Sequence, residues 1–400
     1  MTETVSTDTA FHYPQQRTCP YQPPEGYARL RAEGPLVRVT LYDGATAWLV
    51  TRHADARVLL NDPRVSSDRS RDGFPIVTPR LLEVRQFRTL VTMDAPEHTK
   101  YRRMLMPYFI PKRTRELRPD VERIVHESID ALLAAEPPVD LIQGFAGPLS
   151  GKVIFHLLGV PEGDQDFFQK ACVRLLLAST AEDGEAALAE LVRYLDELVT
   201  SRRGETGTWL LDRLVADEGS LTWDDLVRMA VQMLVTGQGS TAQMIALSAA
   251  TLLEHPEQLD EIRRDPSLVP GAVEELLRYV TIADMAGIRV ATADIELHGQ
   301  VIAAGEGVIM PYAMMDRDPE AYPEPDRLDI HRTMSNPHFA FGFGPHNCVA
   351  QGLARLELDI TLAALFERIP TLRLAVPLNE LRVRSAADMQ GVYELPVTWT

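Results

Sequence analysis

The stretch Phe341-Gly342-Phe343-Gly344-Pro345-His346-Asn347-Cys348 is the most informative segment of this 400-residue chain. It ends a glycine-rich loop on a cysteine, and an apolar run with helical periodicity, residues 349–369, follows directly. A thiol at such a junction lies near the positive end of a helix dipole, which favours its thiolate form. The glycines let the backbone approach a flat group closely, with N–H groups pointing at the sulfur. Cys348 is therefore a candidate metal ligand.

Thiolate ligation of haem iron is the chemistry that these features suit, because a buried sulfur must keep its charge while it binds the metal. An isolated cysteine in a turn is more often an ordinary buried side chain. Here five residues are specified within eight positions. A chance match in a chain of this composition is expected roughly once in ten thousand. The haem-thiolate hypothesis is preferred on that ground.

The loop resembles the haem-binding signature of the cytochrome P450 monooxygenases, F-G-x-G-x-H-x-C, followed by a helix with L-A-R, here Leu353-Ala354-Arg355. The resemblance covers almost the whole chain and extends in particular to soluble actinobacterial members. It implies haem b (iron protoporphyrin IX), with Cys348 as the iron ligand and Phe341, Gly342 and Ala354 at the haem. The family usually has glycine where this chain has Ala350, so we expect slightly different packing of that helix against the haem.

The pattern of elements predicts a mainly α fold with a minor, discontinuous β region. Helical periodicity dominates residues 97–370, while a hairpin is predicted at 37–51 and short strands at 286–310 and 372–374. No Gly/Ser-rich or Pro-rich linker divides the chain, so residues 1–400 are expected to form one domain. The resemblance implies the same class, the triangular helical prism of the family, with haem between a central and a proximal helix.

Prolines and polar caps mark several helix ends. Pro96 begins one helix, and Pro119 opens another that reaches Leu133. The sequence Thr222-Trp223-Asp224-Asp225 has the form of a capping box at the start of a long helix. His255 with the proline after it ends that helix.

Composition excludes several classes of protein. A net charge of −17 argues against nucleic acid as a partner. Cys19, Cys172 and Cys348 are too few and too scattered for a disulfide framework or a zinc site, so a reducing compartment is expected. Residues 1–16 lack the basic start and apolar run of a secretion signal. We expect a soluble, cytoplasmic protein.

One uncharged segment has the length of a membrane span. Residues 229–253 carry no charge over 25 positions. Glutamine, serine, threonine and glycine residues interrupt it, however, and a helix that is uncharged all round in such a chain is more often a central buried helix. No membrane association is expected.

Glu275 and Arg278 are three residues apart, so their side chains share one helix face. Taken alone, this spacing is typical of a surface ion pair. In the family that the chain resembles, an E-x-x-R in this position forms a buried network that holds the segment leading to the haem loop. We therefore expect a structural role for both residues.

Haem carries two propionates, which need cationic or hydrogen-bonding partners. The resemblance suggests four candidates: His98, Arg102, Arg289 and His346. His98 and Arg102 are separated by four positions on one helix, so both can reach the same group. The alternative is a solvated basic face.

The segment Thr236-Gly237-Gln238-Gly239-Ser240-Thr241 departs from the family, which usually has an acid followed by threonine at the positions of Gly239 and Ser240. Splitting dioxygen needs two protons, delivered through an alcohol and a neighbouring carboxylate or its water chain. Ser240 supplies an alcohol, whereas Gly239 supplies no acid. Thr241 lies about 100° further round the helix.

Two explanations of this departure compete. Protons can arrive through water held by Gln238, Ser240 or a substrate hydroxyl, which leaves ordinary monooxygenation intact. Alternatively, the enzyme couples radicals, forms rings or desaturates its substrate. A non-catalytic helper subunit is a further alternative. We prefer the monooxygenase, acting on a small molecule of secondary metabolism such as antibiotic biosynthesis.

Substrate contacts are placed by the resemblance in four segments: 74–93, the helix groove, 285–288 and 389–392. The candidates are Met233, Thr236, Gly237, Ile288, Met389 and Gln390. Arg85 and Arg88 suit either an anionic substrate or a solvated loop.

Residues 100–118 form a locally basic segment. Between Lys100 and Arg118 there are seven basic residues and one acid, in a chain that is otherwise acidic. Such a reversal favours a docking site for an acidic protein. The resemblance suggests a ferredoxin, supplied by a ferredoxin reductase, with contacts at Lys100, Arg103, Lys112 and Arg113.

Overall fold

This computed structural model describes residues 11–83, 85, 88–177, 181–202, 207, 209–216, 222–384 and 389–400. In that part of the chain the helices are α1 Gly26–Glu33, α2 His53–Asn61, α3 Pro79–Glu83, α4 Glu97–Leu105, α5 Pro111–Leu133, α6 Gly147–Leu158, α7 Gln165–Leu177, α8 Ala181–Ser201, α9 Leu210–Ala216, α10 Trp223–Leu253, α11 Pro256–Arg264, α12 Val269–Val280, α13 Tyr312–Met315 and α14 Gln351–Arg368. The strands are β1 Phe11–His12, β2 Leu36–Thr40, β3 Thr46–Val50, β4 Val65–Ser66, β5 Val139–Asp140, β6 Ile288–Ala291, β7 Ile295–Leu297, β8 Gln300–Ile302, β9 Gly307–Ile309, β10 Arg373–Leu374 and β11 Pro396–Thr398. The expected class, mainly α with a minor β region, is confirmed.

The central helix α10 starts where the sequence predicted. The Thr222 hydroxyl accepts the N–H of Asp225 at 3.2 Å, and the Asp225 carboxylate accepts the N–H of Thr222 at 3.1 Å, which completes a capping box. Every residue from Thr241 to Leu252 is buried. The helix packs against α6, α8, α12 and α14. Its uncharged character therefore reflects burial inside the protein, and no helix in the described ranges has the length and apolar character needed to cross a bilayer.

The predicted start of α5 is wrong. The helix begins at Pro111, where Ile110 is extended, and Pro119 lies inside it. Proline suits the first helical turn, where its missing N–H has no partner to lose. Inside the helix Pro119 removes one main-chain hydrogen bond, and burial of the apolar face of α5 offsets that loss.

The β region forms one mixed sheet and two small ones. The main sheet has the order β1-β2-β3-β9-β6-β4, and the others are β10-β11-β5 and β7-β8. The predicted hairpin is confirmed: β2 and β3 are antiparallel, with Leu36 opposite Val50 and Thr40 opposite Thr46. Gly44 in its turn has a φ of 83°. Strand β6 contains Ile288 and Arg289, and all four of its residues are buried.

A buried ion pair joins α12 to the segment before the cysteine loop. Arg278 donates to both carboxylate oxygens of Glu275 at 2.7 and 2.8 Å, and both side chains are 0% exposed. Arg278 also donates to the main-chain oxygens of Asp316 at 2.7 Å and Pro325 at 2.8 Å. Arg332 approaches Glu275 from the other side at 3.1 Å. This burial excludes a surface ion pair and agrees with the structural role expected for Glu275 and Arg278.

We expect replacement of Arg278 by lysine, which keeps the positive charge, to destabilise the protein. In Arg278→Lys, one ammonium cannot reach the carboxylate and the two carbonyl groups together, so buried acceptors lose their donors. We expect the free energy of unfolding to fall by about 3 kcal/mol, measured by chemical denaturation followed by circular dichroism. In the control Arg123→Lys, at an exposed pair with Glu127, the change should stay within about 0.5 kcal/mol. Equal losses in the two variants would contradict the structural role of Arg278.

Candidate active site

The cysteine loop is closed by its own backbone. The N–H of Cys348 donates to the carbonyl oxygen of Phe341 at 2.8 Å. Gly342 and Gly344 have φ angles of 69° and 72°, a region that favours glycine. A Cβ on Gly344 would lie 2.6 Å from the carbonyl oxygen of Leu60 on α2, so that position has no room for a side chain. The loop is thus held against α2 and delivers Cys348 three residues before α14 begins.

The protonation of Cys348 differs from the expectation based on the helix dipole. Removal from water raises the pKa of the Cys348 thiol, and this outweighs the lowering by the Ala350 N–H, Arg102 and Arg355. The protein by itself therefore favours the thiol. A bound cation reverses this preference, because a coordinating thiol is deprotonated.

The four predicted propionate partners come together. The rings of His98 and His346 stack at 4.1 Å between centroids. Burial, followed by the charges of Arg289, His98 and Arg102, lowers the pKa of His346 to about 3. Burial and Arg102 also lower the pKa of His98. Arg102 donates to the main-chain oxygen of Asn347 at 2.7 Å and contacts its side-chain oxygen.

This cluster has unused capacity for hydrogen bonds. His98 Nε2 and His346 Nδ1 are buried and lack a partner among the described residues. Arg289 is 6% exposed, donates to the nearby main-chain oxygens of Ala286 and Ile288 at 3.0 and 2.7 Å, and also interacts with the hydroxyl group of Tyr312. Buried nitrogens without partners, next to two guanidinium groups, fit a ligand with two carboxylates. The residues present therefore fit the two propionates of haem.

Other predicted haem contacts surround the same loop. The guanidinium of Arg355 lies 4.6 Å from the ring centroid of Phe341 and donates to Glu274. A Cβ on Gly342 would lie 3.5 Å from the hydroxyl oxygen of Tyr312. Ala354 is partly buried in the first turn of α14. Phe341 and Gly342 thus belong to the cysteine loop and Ala354 to the helix that follows it, and their contact with haem stays a prediction.

The hydroxyl groups of the α10 groove bind their own helix. Ser240 Oγ donates to the carbonyl oxygen of Thr236 at 2.6 Å, and Thr241 Oγ1 donates to that of Gly237 at 3.0 Å. Such bonds satisfy a hydroxyl donor inside a helix. The oxygen of Ser240 keeps lone pairs that can accept a proton donor. Gly239 follows Gln238 without any interruption of the helix.

The predicted substrate positions are divided between the two apolar clusters and the C-terminal segment. Met233 is 8% exposed on α10, and Ile288 is 6% exposed on β6. Met389 packs against both the helical cluster and the sheet cluster. Gln390 is buried, and its N–H donates to the carbonyl oxygen of Ile282 at 2.8 Å. Met389 therefore links the helical cluster to the sheet cluster, and the role of these residues in binding substrate stays a prediction.

Two arginines of the first loop have partners already. Arg85 donates to the main-chain oxygens of Arg69 at 2.7 Å and Arg71 at 2.9 Å. Arg88 forms an ion pair with Glu97. These contacts favour loop anchoring over recognition of an anionic substrate. Residues 84, 86 and 87 of this loop lie outside the described ranges.

Sequence reasoning missed a clamp on the C-terminal turn. The side-chain amide of Gln243 donates to the carbonyl oxygen of Val392 and accepts its N–H, both at 3.0 Å. Gly391 lies so close to Gln243 that a Cβ there would collide with the amide. In the sequence, Gln243 is only a glutamine within an uncharged helix. Its partner Val392 lies 149 residues away, and no local pattern predicts that contact.

Comparison with known proteins gives a consistent result. The family model described as cytochrome P450 matches residues 149–370. The chain is 50% identical over 407 aligned residues to a vitamin D3 dihydroxylase of Streptomyces griseolus, with all of both chains covered. It is 48% identical to a pentalenic acid synthase of Streptomyces avermitilis, covering 99% of this chain and 98% of the other.

A solved structure shows the same fold. The crystal structure of cytochrome P450 MoxA from Nonomuraea recticatena superposes with a TM-score of 0.93 at 43% identity, covering 98% of each chain. The likeness therefore extends over nearly the whole of both chains. This chain belongs to the cytochrome P450 family and is a haem-thiolate oxidoreductase.

Proposed function

We propose that the chain is a haem b monooxygenase that oxidises a small, largely apolar molecule of secondary metabolism. The observation that carries this proposal is the joint placement of the Cys348 loop and the cationic cluster of His98, Arg102, Arg289 and His346. Haem bound through a thiolate supplies the activation of dioxygen. One oxygen atom enters the substrate and the other leaves as water, with consumption of two electrons and two protons.

The residues of the chain then have separate tasks. Cys348 holds the iron, while Arg102 and Arg289 bind the propionates as charge partners and the two imidazoles bind them as hydrogen-bond partners. Ser240 orients a proton donor through its free lone pairs, because its own proton is engaged with the carbonyl oxygen of Thr236. Gly239 is a tolerated variation in this proposal, and water takes the place of the carboxylate.

The apolar positions define the class of substrate. Met233, Ile288 and Met389 offer aliphatic contacts, and Gln390, next to Met389 in the chain, adds a buried amide. The relatives include the vitamin D3 dihydroxylase, the pentalenic acid synthase and, at 42% identity, a 20-oxo-5-O-mycaminosyltylactone 23-monooxygenase of Streptomyces fradiae. A panel of such terpenoids, secosteroids and macrolides is the proper screen for this chain.

Electrons reach the site from a ferredoxin at a surface that we call the docking face, formed by Lys100, Arg103, Lys112 and Arg113. Arg103 and Lys112 are exposed. The exposed apolar side chains Met106 and Ile110, 41% and 39% exposed, lie between them in the sequence. The neighbouring Arg102 contacts Asn347, so this part of the chain adjoins the cysteine loop. An acidic ferredoxin matches such a surface in charge.

Replacement of the proposed ligand tests the haem-thiolate function directly. We expect Cys348→Ser to lose the red-shifted absorbance of the reduced carbon monoxide complex, together with turnover of the panel compounds, because an oxygen ligand donates less charge to iron. Cys19→Ser, at a cysteine far from the loop in sequence, is the matched control and should keep both. Retention of the thiolate-type spectrum by Cys348→Ser would overturn the assignment.

The docking face is tested by charge reversal. We expect Lys112→Glu to raise the KM for ferredoxin about tenfold at low salt, and the difference from wild type to shrink as salt increases. Lys170→Glu on α7, an exposed lysine outside the docking face, should leave that KM unchanged. A similar effect of both variants would point to net charge alone.

The role of Ser240 is tested by the fraction of electrons recovered in product. We expect Ser240→Ala to lower that fraction about tenfold and to release hydrogen peroxide, with substrate affinity unchanged. Ser240→Thr should retain the wild-type fraction, because it keeps the hydroxyl. Unchanged recovery in Ser240→Ala would remove Ser240 from the proton path. Products that lose hydrogen without gaining oxygen would instead favour oxidative coupling or ring formation.

A further inference from the structure

The C-terminal turn of residues 389–392, one of the predicted substrate segments, is held by two separate anchors. On one side, the main-chain N–H of Gln390 donates to the carbonyl oxygen of Ile282 at 2.8 Å, three residues before the predicted substrate segment 285–288 begins. On the other side, the side-chain amide of Gln243 binds both main-chain groups of Val392 at 3.0 Å. The turn is thus joined both to α10 and to the segment that leads into β6.

Gln243 lies on the same side of α10 as the groove. It follows Ser240 by three positions, so the two side chains share one face of the helix. Gln243 is 4% exposed and Val392 is 0% exposed. Water therefore cannot replace the two hydrogen bonds when the amide is removed. The distance between the turn and this face of α10 is set by the length of one side chain.

An amide is the side-chain group that this contact requires. The main chain of Val392 presents one donor and one acceptor, and the Gln243 amide offers one acceptor and one donor to them. A leucine at this position would fill a similar volume but leave both main-chain groups unpaired. An asparagine is shorter by one methylene group, so it could keep both partners only if the turn moved closer to α10.

The contact also requires glycine at position 391. A Cβ on Gly391 would lie 2.1 Å from Gln243 Oε1 and 2.6 Å from Gln243 Cδ, far inside the normal separation of nonbonded atoms. Gly391 is buried, and its carbonyl oxygen accepts the N–H of Arg384 at 2.8 Å. Any side chain at this position would displace either the amide or the turn. Gln243 and Gly391 are therefore matched in size.

The anchored turn contains two predicted substrate contacts. Met389 packs against both apolar clusters, and Gln390, the next residue, is buried. In a largely apolar site, the side chains of the wall decide which carbon atom of the substrate is presented for oxidation. A displacement of about 1 Å is enough to change such an orientation. Movement of the turn would therefore change the position at which the substrate is oxidised.

We propose that Gln243 is a positioning residue that selects the site of oxidation on the substrate. Its amide holds the turn of residues 389–392 at one distance from α10, and Gly391 leaves the space that the amide occupies. Gln243 does not touch the reacting atoms, because it acts through Met389 and Gln390. This inference rests on the monooxygenase function proposed above.

Hydrogen exchange tests the anchor without turnover. The main-chain N–H of Val392 in the haem-loaded enzyme should exchange about tenfold faster in Gln243→Leu and in Gly391→Ala, because it loses its acceptor. The measurement is mass spectrometry with fragmentation of the C-terminal peptides to single residues. Unchanged exchange at Val392 in Gln243→Leu would overturn the proposal.

The chain offers a closely matched control at Gln258 on α11. Gln258 Nε2 donates to the carbonyl oxygen of Leu328, and Gln258 Oε1 accepts the N–H of Ile330, both at 3.0 Å. Gln258→Leu therefore removes the same two kinds of hydrogen bond at a segment without predicted substrate contacts. It should leave the exchange of Val392 unchanged.

The ratio of products tests the selection of the oxidation site. With a panel compound that the wild-type enzyme converts, we expect Gln243→Leu and Gly391→Ala to change the ratio of oxidised positions by at least about tenfold. Gln243→Asn should also change it, because the turn then lies closer to α10. Gln258→Leu should keep the wild-type ratio. An unchanged ratio in Gln243→Leu and Gly391→Ala, or an equal change in Gln258→Leu, would overturn the proposal.

A double substitution tests whether Gly391 acts through the amide. Gly391→Ala should change the product ratio in the wild-type background but not in Gln243→Ala, because the group that its Cβ meets is then absent. Additive changes would contradict the size match. All variants should keep the thiolate-type carbon monoxide spectrum. Its absence from the wild-type protein would refute the proposed function instead, and hydrogen exchange would still decide whether Gln243 anchors the turn.

Discussion

The buried guanidinium of Arg278 is the interaction on which the geometry of the thiolate loop depends. It joins Glu275 on its own helix to the carbonyl oxygens of Asp316 and Pro325. The carboxylate of Asp316 continues the connection, since it accepts the N–H of Phe339 at 2.7 Å, two residues before the loop begins. Because Arg278 is fully buried, water cannot replace a lost partner. The position of Cys348 is therefore set by contacts made up to 70 residues earlier in the chain.

The net positive charge of the cluster of His98, Arg102, Arg289 and His346 would match the negative charge of the two haem propionates. Burial lowers the pKa values of both His98 and His346, so the imidazoles are neutral near pH 7. The permanent charges of the cluster are then the guanidinium groups of Arg102 and Arg289. Two propionates would neutralise these two charges one for one, which avoids a buried excess of either sign. The neutral histidines add hydrogen bonds without adding charge, and this explains why four polar side chains can share one buried place.

Local signals in the sequence predicted the features that depend on neighbouring residues. The cysteine loop, the capping box of Thr222 and the hairpin at 37–51 each involve residues a few positions apart, and all three were found. The start of α5 was misplaced because Pro119 has the same local signature at the first turn of a helix as inside one, and only packing decides between them.

Features that depend on contacts between distant segments had no such signal. The amide of Gln243 binds Val392, and Arg332 binds Glu275 from 57 positions away. Gln169 and Gln238 form a side-chain hydrogen bond although they are 69 positions apart in the sequence. The sequence gives the residue types, but the tertiary fold determines which residues become partners. Helical spacing alone predicts that His98 lies beside Arg102. That His346 joins them was predicted only from the resemblance to the family.

Burial also decides the protonation of carboxyl groups in the helical core. Glu357 lies in this core, accepts a hydrogen bond from Ser150 at 2.7 Å, and has its pKa raised to about 7 by burial. A carboxylate buried here without a cation thus tends towards its neutral form near physiological pH. Amides carry no charge to desolvate, so Gln238 can lie at 2% exposure on α10, where its side-chain N–H groups donate to Gln169 and to the carbonyl oxygen of Gly147. Amide, hydroxyl and apolar side chains therefore keep the buried part of α10 uncharged.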